Sequence, residues 1–269
     1  MKLKLWQVDA FASRPLEGNP AAIVPLESWL DTSLMQKIAN ENNLAETAFF
    51  VREGKGRFGL RWFTPVGEVD LCGHATLASA WTVFEFVDRE LKQVAFETKS
   101  GTMTVERAPD GFNIMSMPSE TPHELVDPDL ATQIAQALDS TPPTLTLKGR
   151  YIVGVWDKAA DVRSLGGPGD IASVLRPRGV WGFIATAPGD EDYDFVSRFF
   201  APDKGVPEDP VTGSAHCSLT PYWAKRLGKK TMKARQVSPR GGDLICTDAG
   251  DRTILAGPCA HYMTGEITL

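Results

Sequence analysis

The chain has 269 residues, enough for one to two domains on a soft prior of roughly 150 residues each, and enough to bury a sizeable core without staples. Hydrophobic residues make up 42% and charged residues 23%, a globular balance that argues against global disorder, and no apolar run approaches the ~18 residues of a membrane span. The net charge of -6 argues against a nucleic-acid partner, while four scattered cysteines and an N-terminal stretch broken by Asp9 suggest a reduced cytosolic setting without a signal peptide.

The 24 glycines and 19 prolines punctuate many short segments, which predicts many short strands and turns. Residues 3–11 read as a strand, 14–20 as a turn-rich loop and 21–24 as a short apolar strand. A helix follows, with Thr32 able to cap it, Leu34, Met35, Ile38 and Ala39 on one face, and Asn42 and Asn43 ending it. Strands are expected at 45–51 and 57–63. The segment 74–87 is apolar nearly all round for three turns, the pattern of a helix buried on every side. Strands at 92–97 and 102–107 lead to 118–128, a polar stretch with three prolines and the best linker candidate. Beyond it come a helix at about 127–138, strands at 145–156, 180–187 and 193–200, a second buried helix from near Ser214, and short terminal strands around 243–247, 252–256 and 262–268.

An internal echo runs through this pattern. Arg61-Trp62-Phe63-Thr64-Pro65 is answered by Arg198-Phe199-Phe200-Ala201-Pro202. Each copy ends a strand and opens a loop carrying acids, Glu68 and Asp70 in the first, Glu208 and Asp209 in the second. Each loop then meets a glycine at a helix start, Gly73 or Gly213. The second loop is longer: Pro202 to Gly213 spans 11 positions, against 8 from Pro65 to Gly73. The echo predicts two similar halves, each a strand barrel or curved sheet around a buried helix. The helix N-termini would face one cleft, where unpaired N–H groups suit a carboxylate or a developing enolate.

Several side chains on these loops could carry chemistry. Glu46 lies among apolar and small residues, where desolvation favours a neutral carboxyl able to take and return a proton; on an alternating strand it could equally point to solvent. His74 at a helix start could orient a carboxylate or donate to a substrate, or be structural. Asp209 precedes Pro210 and alone would pass for a turn residue. Ser214 could cap its own helix or hold a substrate carboxylate. Cys72 precedes a helix N-terminus, which would stabilise a thiolate. The pairs Cys72-x-His74 and His216-Cys217 lack regular metal-ligand spacing, so no metal is expected. Cys217, Cys246 and Cys259 read as small buried hydrophobes. Gly166-Gly167-Pro168-Gly169 reads as a turn, and phosphate-loop, G-x-S-x-G and H-E-x-x-H patterns are absent.

Together these motifs resemble the PhzF-like isomerases of phenazine biosynthesis and, more distantly, the diaminopimelate epimerase superfamily. The resemblance is carried by Val8–Phe11, Gly18–Ala22, Leu44–Phe49, the run Arg61–Ala80 with Leu71-Cys72-Gly73-His74-Ala75-Thr76, and Glu208–His216. It implies an α+β fold of two pseudo-symmetric domains, each a strand barrel around a central helix. The halves would be 1–118, to which the last strand 260–269 can return, and 119–259, with the active-site cleft between them. It implies Glu46, His74 and Asp209 as catalytic residues, Gly73, Gly213 and Ser214 as substrate-binding residues, no cofactor, a small anionic substrate, and a cytoplasmic homodimer. The expected activity is a cofactor-independent isomerase that moves a proton between carbons of a small carboxylate-bearing substrate by a glutamate shuttle.

Two features depart from the family pattern, Ala45 where serine is common and the segment Arg235–Gly242, so the phenazine substrate itself is not implied. A binding module on the same fold is the competing class. A two-thiol racemase is disfavoured, because Cys72 falls at the first thiol position but Thr212 stands at the second, and a threonine is too weak an acid for that role.

Overall fold

The computed structural model describes residues 1–190 and 192–269. The chain divides into two compact units, one formed by 1–116 with 256–269 and the other by 117–255. No helix among the described residues is long and apolar enough to cross a membrane.

The first unit is built on strands β1 (Lys2–Ala10), β2 (Asn19–Leu26), β3 (Glu46–Gly54), β4 (Arg57–Phe63), β5 (Glu68–Val69), β6 (Gln93–Thr98), β7 (Gly101–Arg107) and β8 (Asn113–Pro118), with helices α1 (Thr32–Asn42) and α2 (Gly73–Thr82). β1 lies between the C-terminal strand Cys259–Thr268 and β2, antiparallel to both. From there the order runs β2–β3 parallel, β3–β4 antiparallel, β4–β6 parallel, then β6–β7 and β7–β8 antiparallel. The β2–β3 crossover is α1, whose Met35, Ile38 and Ala39 pack on Leu5, Val24, Phe49 and Phe63. α1 starts one residue earlier than Thr32 suggests as a cap: Asp31 holds that position, and the Thr32 hydroxyl instead accepts from the Arg61 guanidinium. Asn43 ends the helix in the left-handed region, at φ 48°.

α2 packs against β1, β2, β3, β7 and the C-terminal strand. Its small side chains, Ala75, Ala78, Ser79 and Ala80, let the strands close around it. The hydroxyls it buries are satisfied within the helix, each donating to the carbonyl four residues back: Thr76 to Cys72, Ser79 to Ala75 and Thr82 to Ala78. The expected helix to residue 87 changes character on the way, since Val83–Val87 forms a wider π-helical turn.

The second unit repeats the plan. Its strands are β9 (His123–Glu124), β10 (Leu145–Lys148), β11 (Ile152–Val155), β12 (Phe183–Pro188), β13 (Phe195–Ala201), β14 (Val206–Asp209), β15 (Thr231–Gln236), β16 (Gly242–Asp248) and β17 (Arg252–Gly257), and its helices are α3 (Leu130–Leu138), α4 (Ala159–Arg163), α5 (Ile171–Leu175) and α6 (Gly213–Leu227). The single strand expected at 145–156 is a hairpin, β10 and β11, turning at 149–151. The order β9–β10–β11 antiparallel, β11–β12 parallel, β12–β13 antiparallel, β13–β15 parallel and β15–β16 antiparallel matches the first unit step for step. α3, α4 and α5 cover Ile152, Phe183, Ala185, Val196 and Phe200 of the sheet, the role α1 has in the first unit.

The echo has a concrete structural content. Arg61 grips both oxygens of Glu68, with Nε to Oε1 at 2.8 Å and Nη2 to Oε2 at 2.9 Å. Arg198 grips Glu208 in the same fork, at 2.7 and 2.8 Å. Each fork pins the loop that leads into a central helix. The Arg61 contact, with help from Lys99, holds the Glu68 carboxyl down at about 2. The longer second loop opens with a short 3-10 turn, Pro202–Lys204.

Candidate active site

Glu46 is the first residue of β3, and His74 is the second residue of α2. The parallel pairing Ala21↔Glu46 and the antiparallel Thr47↔Phe63 fix where the strand begins, and so where the carboxylate lies. Glu46 Oε2 is 3.1 Å from His74 Nε2, with the side chains only 17% and 7% exposed. Both atoms are shielded from solvent and approach off the N–H direction, so the contact is an ion pair rather than an aligned hydrogen bond. The other ring nitrogen, Nδ1, is 3.5 Å from Cys72 Sγ. Cys72, Gly73 and His74 thus form a short arc at the start of α2, where the first N–H groups lack intrahelical acceptors.

Burial works against a charged imidazole at His74, yet the Cys72 sulfur and the Glu46 carboxylate beside it outweigh burial and hold its pKa well above the ordinary 6.5. Cys72 does not follow the expectation of a stabilised thiolate. Burial, reinforced by the negative Glu46, pushes its thiol up from the ordinary 9.0. A helix end is worth up to ~2 kcal/mol to an anion, less than the cost of removing a thiolate from water beside a carboxylate. Because the folded pKa of His74 is raised, its charged form adds stability in full below pH 6.5, and that stability is lost as pH rises through the raised value. The imidazole signal of His74, followed by NMR, should titrate well above 6.5 and fall in Glu46→Gln; an unshifted midpoint in that variant contradicts the pairing.

Glu46, Cys72 and His74 also bring one carboxylate oxygen, one sulfur and one ring nitrogen within 4.8 Å of one another, a spacing a metal ion could use. The two ring nitrogens face different partners, so an ion held by one would leave the other to its neighbour.

In the second unit the corresponding arc is Thr212, Gly213 and Ser214 at the start of α6. Thr212 is the residue before the helix, in extended conformation as Cys72 is before α2, so Ser214 does not cap. The Thr212 hydroxyl donates to Asp209 Oδ2. Gln236, fully buried at the end of β15, accepts from Thr212 N at 2.8 Å and donates to the Asp209 carbonyl at 2.6 Å. Ser238 donates to the Pro210 carbonyl at 2.8 Å. Asp209, Pro210 and Thr212 are thus clamped from the end of β15 and the residues just after it, a stretch that stands out in the sequence only as a departure from the family pattern. Ser214 is joined by Tyr151, whose hydroxyl lies 2.9 Å from Ser214 Oγ.

His216 sits one turn into α6, fully buried, with Nδ1 2.8 Å from the Thr212 carbonyl and Nε2 3.4 Å from Ser197 Oγ. The carbonyl can only accept, so Nδ1 carries the proton and the ring is neutral. Burial pushes its pKa down to about 4. The sign follows: a folded pKa below the ordinary 6.5 gives stability that is full above pH 6.5 and is lost as pH falls towards about 4. The loss is about 3 kcal/mol. Urea unfolding at about pH 7 and about pH 4.5 should show this drop in the wild type and a smaller one in His216→Gln. Equal drops would remove His216 as its source. His216 and Cys217 thus serve packing: burial pushes the Cys217 and Cys246 thiols up to about 12.

Comparison with known proteins agrees with this architecture. Residues 8–265 match the family described as phenazine biosynthesis-like protein, PhzC-PhzF. The chain is 44% identical to an uncharacterized isomerase of Pseudomonas aeruginosa, over the whole of both chains. A crystal structure of a phenazine biosynthesis protein of the PhzF family from Enterococcus faecalis superposes with a TM-score of 0.92 at 40% identity, covering 100% of each chain. A hydroxyproline epimerase from Agrobacterium vitis shares the fold at TM-score 0.63, with 12% identity and 100% and 93% coverage. The chain belongs to the phenazine biosynthesis-like, PhzC-PhzF family and is an isomerase of the PhzF type.

Proposed function

We propose that the chain is a cofactor-independent isomerase in which Glu46 moves a proton between two carbons of a small carboxylate-bearing substrate. The observation that carries this reading is the shielded Glu46–His74 pair at 3.1 Å, at the N-terminus of a buried helix. Glu46 takes a proton from a carbon next to an unsaturated or carbonyl system. The electron pair of the broken C–H bond moves into that system. The pair then forms a new C–H bond at a second carbon with the proton held on Glu46. Nothing is oxidised or reduced, and no atom leaves.

His74, held protonated, offers a charged donor beside the carbon base, and the first N–H groups of α2 favour the anion that forms. Asp209, Gly213 and Ser214 are assigned to the same reaction, Asp209 as a proton relay and Gly213 and Ser214 as holders of substrate oxygens. Their assignment rests on the family likeness and on the echo between Gly73-His74 and Gly213-Ser214.

The test is exchange at carbon. A panel of small unsaturated and 2-oxo carboxylic acids is incubated with the protein in heavy water containing excess EDTA, and deuterium is read by mass spectrometry. At least one acid should be isomerised or labelled at carbon, at a rate unaffected by the chelator. Tight binding of an acid with no change in it would favour a binding module. A rate abolished by EDTA and restored by zinc would make the Glu46–Cys72–His74 cluster a metal site.

A further inference from the structure

The strand registers show what the second unit has in place of Glu46. Thr47 pairs with Phe63, and Phe183 pairs with Phe200, the echo partner of Phe63. Thr47 and Phe183 therefore occupy one structural position, and the residue before each is Glu46 in one unit and Gly182 in the other. On the neighbouring parallel strand Ala22 pairs with Thr47, and Ile152 with Phe183, so Ala21 corresponds to Tyr151. The acid is missing from the second unit, and its neighbour has grown from a methyl group to a phenol.

The phenol takes the space. A Cβ on Gly182 would stand 2.6 Å from Tyr151 Cδ1 and 2.8 Å from Phe199 Cζ. The ring is held edge-on by Trp181 and Phe199, with centroids 5.1 and 5.0 Å away. Tyr151 is 1% exposed, and its hydroxyl ends on Ser214 Oγ at 2.9 Å. Ser214 is the echo partner of His74. Glu46–His74 in one unit thus becomes Tyr151–Ser214 in the other, with the acid/base pair replaced by two hydroxyls.

We infer that Tyr151 is a positioning residue: it donates its O–H to Ser214 Oγ and so turns the Ser214 hydroxyl outward as a donor to a substrate carboxylate. Burial pushes the phenol up from its ordinary 10, so it stays protonated and able to donate. Four buried hydroxyls of the central helices, Thr76, Ser79, Thr82 and Thr220, spend their hydrogen on a carbonyl four residues back, while Ser218 Oγ is buried without a partner among the described residues. For Ser214 that carbonyl belongs to Pro210, ahead of the helix, and the contact its hydroxyl makes is with Tyr151 instead. With Tyr151 as donor, the Ser214 hydrogen is left for another acceptor. This role rests on the isomerase reading only in supposing that Ser214 meets the substrate.

Tyr151→Phe, Ser214→Ala and the double variant test it, with the acid that the wild type turns over. Tyr151→Phe should raise KM about tenfold, the worth of one oriented hydrogen bond, with kcat within about twofold. The double variant should be no worse than Ser214→Ala. An unchanged KM, or losses that multiply in the double variant, overturns the inference. A crystal structure of Tyr151→Phe gives a second readout independent of turnover. Ser214 should spread over several rotamers, and one rotamer unchanged from the wild type also overturns it. If Glu46→Gln keeps full activity, the isomerase reading fails, while the rotamer result still decides the role of Tyr151.

Discussion

Glu46→Gln should lower turnover by about 10²–10⁴-fold while leaving the fold intact, the range expected when a general acid/base is removed. Glutamine has the shape of glutamate but cannot take a proton from carbon. The variant breaks the ion pair with His74, which answers by losing its proton, so the fold is kept at a lower melting temperature. Its circular-dichroism spectrum should therefore match that of the wild type. The opposite pattern, turnover within about threefold of the wild type, sinks the shuttle. His74→Asn gives the control. It removes the charged donor but leaves the base, so some exchange should survive where Glu46→Gln has almost none.

Arg198→Ala should cost about 3–5 kcal/mol, the penalty for leaving one partner of a buried ion pair alone. The Arg198 and Glu208 side chains are 7% and 13% exposed. Besides Glu208, the guanidinium donates to the Leu165 carbonyl at 2.5 Å, the Gly166 carbonyl at 3.3 Å and the Val162 carbonyl at 3.5 Å. Removing it strands a carboxylate and three carbonyls at once. Arg61→Ala should cost less, about 1–3 kcal/mol, because Arg61 is more exposed and Lys99, 2.9 Å from Glu68, remains. Arg198→Lys should rescue little, since a single ammonium cannot reproduce the fork. The check is urea unfolding of the three variants, each transition fitted separately because the chain has two compact units. Equal costs for Arg198→Ala and Arg61→Ala would contradict the burial argument. Glu208 is next to Asp209, so the same variant should also slow the reaction.

Much of this arrangement was legible in the linear chain because it is local. A strand end, an acidic loop and a glycine at a helix start lie within twenty residues of one another, and the repeated order Arg61 to Gly73 and Arg198 to Gly213 needed no long-range knowledge. The buried character of the helices was equally visible, since an all-round apolar face has only one stable place. What was not legible depends on the sheet. Gln236 reaches Thr212 from 24 residues away, and Tyr151 reaches Ser214 from 63. Strand pairing sets both contacts, and neither residue type marks them. Cys72 shows a different limit. The helix terminus that favours its thiolate could be read from sequence, but the burial and the Glu46 charge that oppose it needed coordinates. Thr32 illustrates competition between partners, its hydroxyl being taken by Arg61 from a distant strand.

Gly182 has a consequence for how such a molecule can change over time. If two once-equal halves lie behind the echo, the second cannot regain an acid at position 182 by one substitution. Any side chain there meets the Tyr151 ring at 2.6 Å. Nor can Tyr151 shrink first without opening a hole among Trp181 and Phe199 and releasing Ser214. Each intermediate is worse than either end point, so the asymmetry acts as a ratchet. Descendants of this chain can alter what the second half grips far more easily than they can give it a second base.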